Sequence, residues 1–226
     1  MTRKLITAAI ALVAVAAIGL PATASAANDP QLTESGALVA VGASVVGTPV
    51  GENILTNTAG TANLLSCTSS KATGKVLKNS GGTVEGEITS ATYSGTGAVS
   101  ADNNLPECTG SFGNAFITVT NTPLCLRSTP TMAEDEGQVG GGGCGTFGTV
   151  KFTIGSTTAG ECKYETTSTV KGTFTTGGTQ TVLTVRNTQA GSGVKLISGG
   201  FLCPSSGMLK MAYSLETENG TPLTIS

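Results

Sequence analysis

The stretch at residues 67–95, CTSSKATGKVLKNSGGTVEGEITSATYSG, decides the fold class. Within residues 84–88, apolar and small residues alternate with Glu85 and Glu87, which is the period of two of a strand with one face on a core and the other in water. The glycine pair Gly81-Gly82 precedes this alternation and is typical of a tight turn. The stretch therefore predicts a β-hairpin whose acids face solvent.

The same alternation returns along the rest of the chain. It is clearest at residues 208–217, where Tyr213 falls on the apolar face and Ser214 on the polar one. Many short strands without connecting helices favour antiparallel sheets. We therefore predict an all-β fold, an antiparallel β-sandwich or flattened barrel. Further strands are predicted at residues 38–46, 116–120, 150–154, 166–174, 180–186 and 194–197.

A second copy of the pattern begins at Cys162 with CKYETTSTVKGTFTTGGTQTVLTVRNTQAG, residues 162–191. In each copy a cysteine is followed by a Gly-Gly-Thr turn, by a second cysteine at the same interval, and by Thr-Pro-Leu. We interpret this order as two duplicated β units, at about residues 47–124 and 145–223, within a single domain at 27–226. A sheet too small to bury both faces packs against its copy.

The N-terminus predicts export. Arg3 and Lys4 precede an apolar run at residues 5–20, and Ala-Ser-Ala follows at 24–26, which is the order of a secretory signal peptide removed after residue 26. The run is short for a membrane anchor, and no transmembrane segment is expected in the mature chain. Removal leaves 10 basic against 14 acidic residues, a net charge of about −4, which argues against nucleic-acid binding. We predict a secreted, extracellular protein, with cell-wall association as a variant of that prediction.

The chain has six cysteines and no histidine. An even number of cysteines in an exported chain predicts disulfides, whereas a zinc site would need closely spaced cysteines or histidine ligands. The repeat selects one connectivity among those that six cysteines allow. The predicted bonds are two equivalent ones, Cys67–Cys108 and Cys162–Cys203, and one that closes the loop between the copies, Cys125–Cys144.

Few residues are candidates for catalysis. Without histidine, a Ser-His-Asp triad is excluded, and paired cysteines leave no free thiol. Glu85 and Glu87 have a spacing that glycosidase carboxylates could use, but the alternation turns them to solvent. The run Glu134-Asp135-Glu136 lacks the alternating spacing that converges ligands on Ca²⁺, so we interpret it as a solvated loop. We predict no catalytic residue, no cofactor and no metal site.

Two segments lack the strand pattern and are candidates for flexibility, residues 27–36 and 129–143. The second contains the run Gly140 to Gly143. The Gly-Lys-Ser/Thr sequence of a phosphate-binding loop does not follow this run. We interpret it as the tip of a flexible loop.

Three function hypotheses follow from these features. The leading one is a non-catalytic protein of the cell surface or extracellular matrix that acts by adhesion or assembly, with itself or cell-envelope components as partners. The alternative is a secreted module that binds a small apolar ligand between its sheets, because glycine and threonine in place of bulky residues can leave a cavity. A tightly packed, thin sandwich explains the same residues. The third is a carboxylate-dependent hydrolase that uses Glu85 and Glu87.

Short motifs add a resemblance. LSCTSS at residues 65–70, ITSAT at 88–92, and the tail from CPSS at 203–206 to TPLTIS at 221–226 resemble secreted actinobacterial Gly/Thr-rich β proteins that carry a signal peptide and a similar Thr-Pro-Leu tail. The resemblance covers most of the mature chain. It implies an exported, β-rich protein, and it assigns neither an activity nor any site residue.

Overall fold

The computed structural model describes residues 29–99, 104–111, 113–156, 158–177 and 179–226. The predicted signal peptide, residues 1–26, lies outside the described residues. In chain order the elements are β1 (Leu32–Glu34), β2 (Ala37–Leu38), β3 (Ser44–Pro49), β4 (Asn53–Thr56), β5 (Asn63–Cys67), β6 (Ser69–Ser80), β7 (Thr83–Ser94), β8 (Cys108–Gly110), β9 (Gly113–Val119), β10 (Leu124–Ser128), β11 (Glu136–Gly141), α1 (Gly143–Thr146), β12 (Lys151–Ser156), β13 (Gly160–Thr166), β14 (Val170–Gly177), β15 (Gln180–Val185), β16 (Gly193–Ser198), β17 (Ser206–Thr217) and β18 (Leu223–Ile225). The fold is all-β, as predicted.

Eight of these strands close into an antiparallel barrel. Their order is β3-β6-β7-β10-β11-β14-β15-β17, and β17 pairs again with β3. We call this set the first ring. Full closure leaves no free strand edge in the ring. Of the two predicted alternatives, sandwich and barrel, the structure has the barrel.

The barrel continues beyond the first ring through β17 and seven further strands, β4, β5, β8, β9, β12, β13 and β16. Their order is β17-β16-β13-β12-β9-β8-β5-β4, and β4 pairs again with β17, so this second ring is also closed. The chain runs up and down eight times, and each of the first seven runs gives one strand to each ring. The eighth run is β17, which alone spans both rings without interruption.

β6 and β7 form the hairpin that residues 67–95 predicted. Gly81 and Gly82 make the turn with φ angles of 59° and 64°, a left-handed conformation that favours glycine. Val84 is buried at the inner face of the barrel. Glu85 and Glu87 lie on the opposite face, where each is partly covered by an ion pair. The predicted alternation is therefore confirmed.

The inner faces of the strands carry the core. One apolar cluster fills the second ring, another lies at the far end of the first ring, and a smaller one lies between them. The three clusters contain these largest fully buried side chains: Leu65, Ile154 and Tyr164; Val76 and Leu223; and Val185.

A small three-stranded sheet covers the open end of the first ring. β1 lies between β18 and β2, so segments near the two ends of the described chain pair with each other. We call this sheet the cap. Leu32, Leu223 and Ile225 are buried against the first ring. The Asn79 side chain fastens the cap through hydrogen bonds to the backbone of Leu32 and Val39.

The three disulfides join the predicted pairs. Cys67–Cys108 and Cys162–Cys203 each span 41 residues, and Cys125–Cys144 spans 19. Cys67–Cys108 joins β5 to β8. Cys162–Cys203 joins β13 to the segment before β17, and Cys125–Cys144 joins β10 to α1. Bonds of this kind fit an oxidising compartment.

Two predicted strands were wrong in extent. Residues 38–46 divide between β2 and β3, because Gly42 adopts a φ of 88° and turns the chain. Residues 166–174 break after β13, where the Thr166 hydroxyl donates to the Ser168 carbonyl at 2.6 Å and bends the chain toward β14. Ser214 also differs from its prediction, since it is buried and its Oγ lies 2.6 Å from Thr48 Oγ1.

Both segments predicted as flexible contain regular structure. β1 lies in the first of them and β11 in the second. The glycine run is not a loop tip either, because Gly140 and Gly141 belong to β11, and Gly143 begins α1. A Cβ on Gly140 would stand 2.9 Å from the Phe147 ring, so close packing explains the glycine there.

The two copies of the proposed repeat correspond in the structure at one feature and differ at another. The hairpins β6–β7 and β14–β15 occupy corresponding positions in the first ring, although Gly178 of the second turn lies outside the described residues. The two Thr-Pro-Leu segments do not correspond, since the first leads into β10 of the first ring and the second leads into β18 of the cap. The duplication and the single-domain boundary stay predictions.

Candidate functional site

A cavity of about 170 Å³ lies inside the barrel. Residues of both rings and of the cap line it, and their side chains are overwhelmingly apolar. At one end it meets Leu32 and Ile225 of the cap, and at the other it meets Leu65 and Ile154 of the second ring. A cavity of this size can take up a small hydrophobic molecule, as an engineered apolar cavity of about 150 Å³ does with benzene.

Small side chains on the inner faces create this space. Gly47, Ala72, Gly86 and Ala91 all line the cavity, in strands that elsewhere point valine, isoleucine or leucine inward. A Cβ on Gly86 would meet only the Lys75 carbonyl oxygen, at 3.7 Å, so the volume beyond it is open. The cavity is thus a property of the sequence, because larger residues at these positions would fill it.

Four polar residues meet at the junction between the rings. Asn53 opens β4, Ser70 pairs with Tyr93 across β6 and β7, and Tyr213 lies in β17. Asn53 Nδ2 donates to Ser70 Oγ and, at 3.1 Å, to the Tyr213 hydroxyl. The Tyr213 hydroxyl in turn lies 3.1 Å from Ser70 Oγ. We call these four residues the polar cluster.

The tyrosines of the polar cluster stay neutral at ordinary pH. Burial raises the pKa of Tyr93 well above its usual value, and the neighbouring Tyr213 phenol raises it further. Burial also raises the pKa of Tyr213, while hydrogen bonds with Ser70, Tyr93 and Asn53 partly offset the effect. The cluster therefore offers uncharged hydrogen-bonding groups to the cavity, as ligand sites commonly do.

Packing closes the cavity toward the second ring. The Phe152 and Tyr164 rings stack with their centroids 5.6 Å apart. The Tyr164 hydroxyl donates to the Pro204 carbonyl at 3.0 Å, so its polar atom is satisfied. Burial raises the pKa of Tyr164 to about 12. Phe152 of this stack lines the cavity, and Tyr164 packs against it.

The two glutamates considered for hydrolysis each form an ion pair with a different cation. Glu85 Oε1 lies 2.8 Å from Arg127 Nε, and Glu87 Oε1 lies 3.3 Å from Lys75 Nζ. Arg127 also donates to the Cys144 carbonyl at 2.9 Å and lies over the Phe147 ring. These contacts tie Glu85 to the segment closed by the disulfide of β10, which is a structural role.

The acidic run does not assemble a metal site. Glu136 lies in β11, and its carboxylate lies 3.0 Å from Lys171 Nζ and accepts a hydrogen bond from Gln138 at 2.6 Å. Burial works against ionisation here, but the hydrogen bonds from Gln138 and Lys171 and the charge of Lys171 lower the pKa of Glu136. Across the described residues, no three acidic, cysteine or histidine side chains converge on a common point.

Comparisons with family models, curated proteins and solved structures find no match for this chain. The resemblance to secreted actinobacterial proteins therefore stays a prediction. Within the described part of the chain, no helix has the length and apolar character that crossing a bilayer requires.

Sequence reasoning missed the polar cluster. It placed Tyr213 correctly on the inner face, but it assigned no role to Asn53, Ser70 or Tyr93. The four residues of the polar cluster come from four strands, β4, β6, β7 and β17, which pack together only after the barrel closes. The one available signal was the row of small residues on β6, where Ser70, Ala72 and Gly74 alternate before a buried valine.

Proposed function

We propose that this protein binds a small apolar molecule inside the barrel. The cavity of about 170 Å³ carries this proposal, because its walls combine apolar side chains with a few uncharged polar groups. Burial of an apolar ligand there removes its surface from water at about 25 cal/mol per Å². The role is binding and not catalysis. Export, supported by the predicted signal peptide and the three disulfides, would place the protein outside the cell.

A cavity-filling substitution tests the proposal. Gly86→Val places a side chain in the open volume, and the backbone at Gly86 needs no left-handed conformation. We expect toluene to raise the unfolding temperature of the wild-type protein and to leave that of Gly86→Val unchanged, since binding to the folded state alone stabilises it.

The matched control is Gly177→Val. Gly177 is exposed and has nothing within 4 Å of its Cβ position, so this variant should respond to toluene as the wild type does. Mass spectrometry of an organic extract of the purified protein would identify a ligand acquired during expression. Equal toluene responses in the wild type and in Gly86→Val would refute binding in this cavity.

Adhesion or assembly at the cell surface or in the matrix, the leading hypothesis from sequence, stays a separate prediction. It predicts that the protein associates with itself as its concentration rises, or is retained in the cell-wall fraction. Analytical ultracentrifugation and cell fractionation test it independently of toluene binding. A carboxylate-dependent hydrolase finds less support, because Glu85 and Glu87 are each held by a separate cation.

A further inference from the structure

One acceptor of the polar cluster has no partner. Asn53 is 5% exposed and lines the cavity. Its two amide hydrogens are used by Ser70 and Tyr213. Its Oδ1 is buried and accepts no hydrogen bond from any residue that the structure describes.

This orphan oxygen is unusual in its surroundings. Buried polar atoms in proteins are nearly always hydrogen-bonded, and an unpaired one lowers stability. Among the described residues, Asn53 Oδ1 is the one buried side-chain oxygen or nitrogen without a partner. The nearby hydroxyls do not serve it, since Ser70 Oγ and the Tyr213 hydroxyl both contact the amide through Nδ2. A molecule in the cavity, which Asn53 lines, can supply the missing donor.

The donor should be uncharged. A charged group in an apolar cavity needs an opposite charge beside it. Lys75, a basic residue that lines the cavity, has its Nζ 3.3 Å from Glu87, and its side chain is half exposed. A carboxylate would in addition bring no hydrogen to share with Oδ1. A hydroxyl brings one donor and no charge.

We propose that the molecule bound in the cavity carries a hydroxyl group, as an alcohol or a phenol does, and that this hydroxyl donates a hydrogen bond to Asn53 Oδ1. The apolar remainder lies against the aliphatic walls of the two rings. This inference rests on the proposed function, and it adds the chemical class of the ligand and the residue that selects it.

Phenol and toluene form a matched pair of probes, because a hydroxyl in one replaces a methyl group of the same size in the other. We would measure both dissociation constants by isothermal titration calorimetry, for the wild type and for Asn53→Leu. The ratio of the toluene constant to the phenol constant should fall by about 2- to 10-fold in Asn53→Leu, the factor expected for one net hydrogen bond. Comparing the ratios cancels the different hydration of the two probes.

Asn63→Leu is the control variant. Asn63 is exposed at the start of β5 and does not line the cavity, so this variant should keep the wild-type ratio. A second measurement needs no variant at all. In the wild type, phenol should shift the side-chain carbonyl ¹³C resonance of Asn53, and toluene should shift it much less.

Each outcome decides between the two proposals. If both probes bind but Asn53→Leu keeps the wild-type ratio and phenol leaves the Asn53 carbonyl resonance unmoved, the hydroxyl inference is overturned and cavity binding stands. The same follows if anisole, which has no hydroxyl hydrogen, matches phenol; an ordered water on Oδ1 would give this result. If neither probe binds the wild type, both proposals fail.

Discussion

A single substitution can test how much the Asn79 side chain contributes to the stability of the cap. Asn79 is 6% exposed, near the end of β6. Its Nδ2 donates to the Leu32 carbonyl at 2.7 Å and to the Val39 carbonyl at 2.9 Å, and its Oδ1 accepts from the Leu32 N–H at 2.9 Å. Leucine has nearly the same size but can make none of these bonds. Asn79→Leu therefore removes three buried hydrogen bonds while leaving the packing largely intact.

The expected loss follows from those three bonds. A buried hydrogen bond contributes about 1 kcal/mol net, so Asn79→Leu should lower the free energy of unfolding by about 3 kcal/mol. For a chain of this size, 1 kcal/mol corresponds to about 2–4 °C in unfolding temperature, which predicts a fall of about 6–12 °C. Urea unfolding followed by circular dichroism measures the free energy. Amide hydrogen exchange at Leu32 and Val39 should quicken more than exchange in the second ring.

Two further variants sharpen this test. Ser80→Leu makes a similar change at the exposed next residue and should stay within about 0.5 kcal/mol of the wild type. Asn79→Asp keeps the acceptor but places a carboxylate oxygen against two carbonyls, so it should destabilise at neutral pH and less so in acid, where the carboxyl group can donate. If Asn79→Leu unfolds within about 0.5 kcal/mol of the wild type, the cap is held by its apolar contacts and by the hydrogen bonds of Ile225 with Thr176 and Thr181.

Three shorter predictions concern the disulfides and the titrating groups. Replacing Cys67 and Cys108 with alanine should cost about 4 kcal/mol in urea unfolding, from the chain entropy of a loop of 41 residues, and a loss below about 1 kcal/mol would contradict this account. Because all three tyrosines have raised pKa values, the stability that they contribute is fully present below pH 10 and is lost as the pH rises toward about 12, the pKa of Tyr164. Tyrosinate absorbance should therefore stay low in the folded protein near pH 10, and its appearance there would refute this. The lowered pKa of Glu136 contributes stability that is present above its unfolded pKa and is lost as the pH falls. Lys171→Met should therefore reduce the loss of unfolding free energy in acid, by under about 1 kcal/mol since Lys171 is 41% exposed. If the stability of this variant depends on pH as that of the wild type does, the ion pair is not the cause of the lowered pKa.

The fold class could be predicted because its signals are local. The alternation in β7 and β17 and the glycine turn at Gly81 each need only a few neighbouring residues. The disulfide pairs were predicted from the proposed repeat, in which the two cysteines of each copy are 41 residues apart. Where the sequence misled, a local feature competed with the pattern, as at Gly42, or the strand pattern was hidden by glycine, as in β11.

The closure of the barrel and the contents of its interior could not be predicted in the same way. Whether inward-facing residues form a thin sandwich or a barrel depends on pairings such as β17 with β3, which the alternation does not encode. A cavity was one of two interpretations that the small residues allowed. Its polar cluster could not be predicted without knowing the register of four strands. Asn53 looks like any turn-flanking asparagine in the sequence, and only its neighbours Ser70 and Tyr213 make it distinctive.

The uninterrupted strand β17 sets the order in which the molecule can be completed. It supplies the last partner of each ring, and it meets strands that precede it by 152 residues at Thr56–Met208 and by 166 at Thr48–Ser214. Contacts so distant in sequence make folding slow. As the chain emerges, the first seven runs form at most an open sheet with two unpaired edges and an uncovered apolar face, a form prone to edge-to-edge association. A chain that stops before β17 should therefore aggregate, however many of its disulfides have formed.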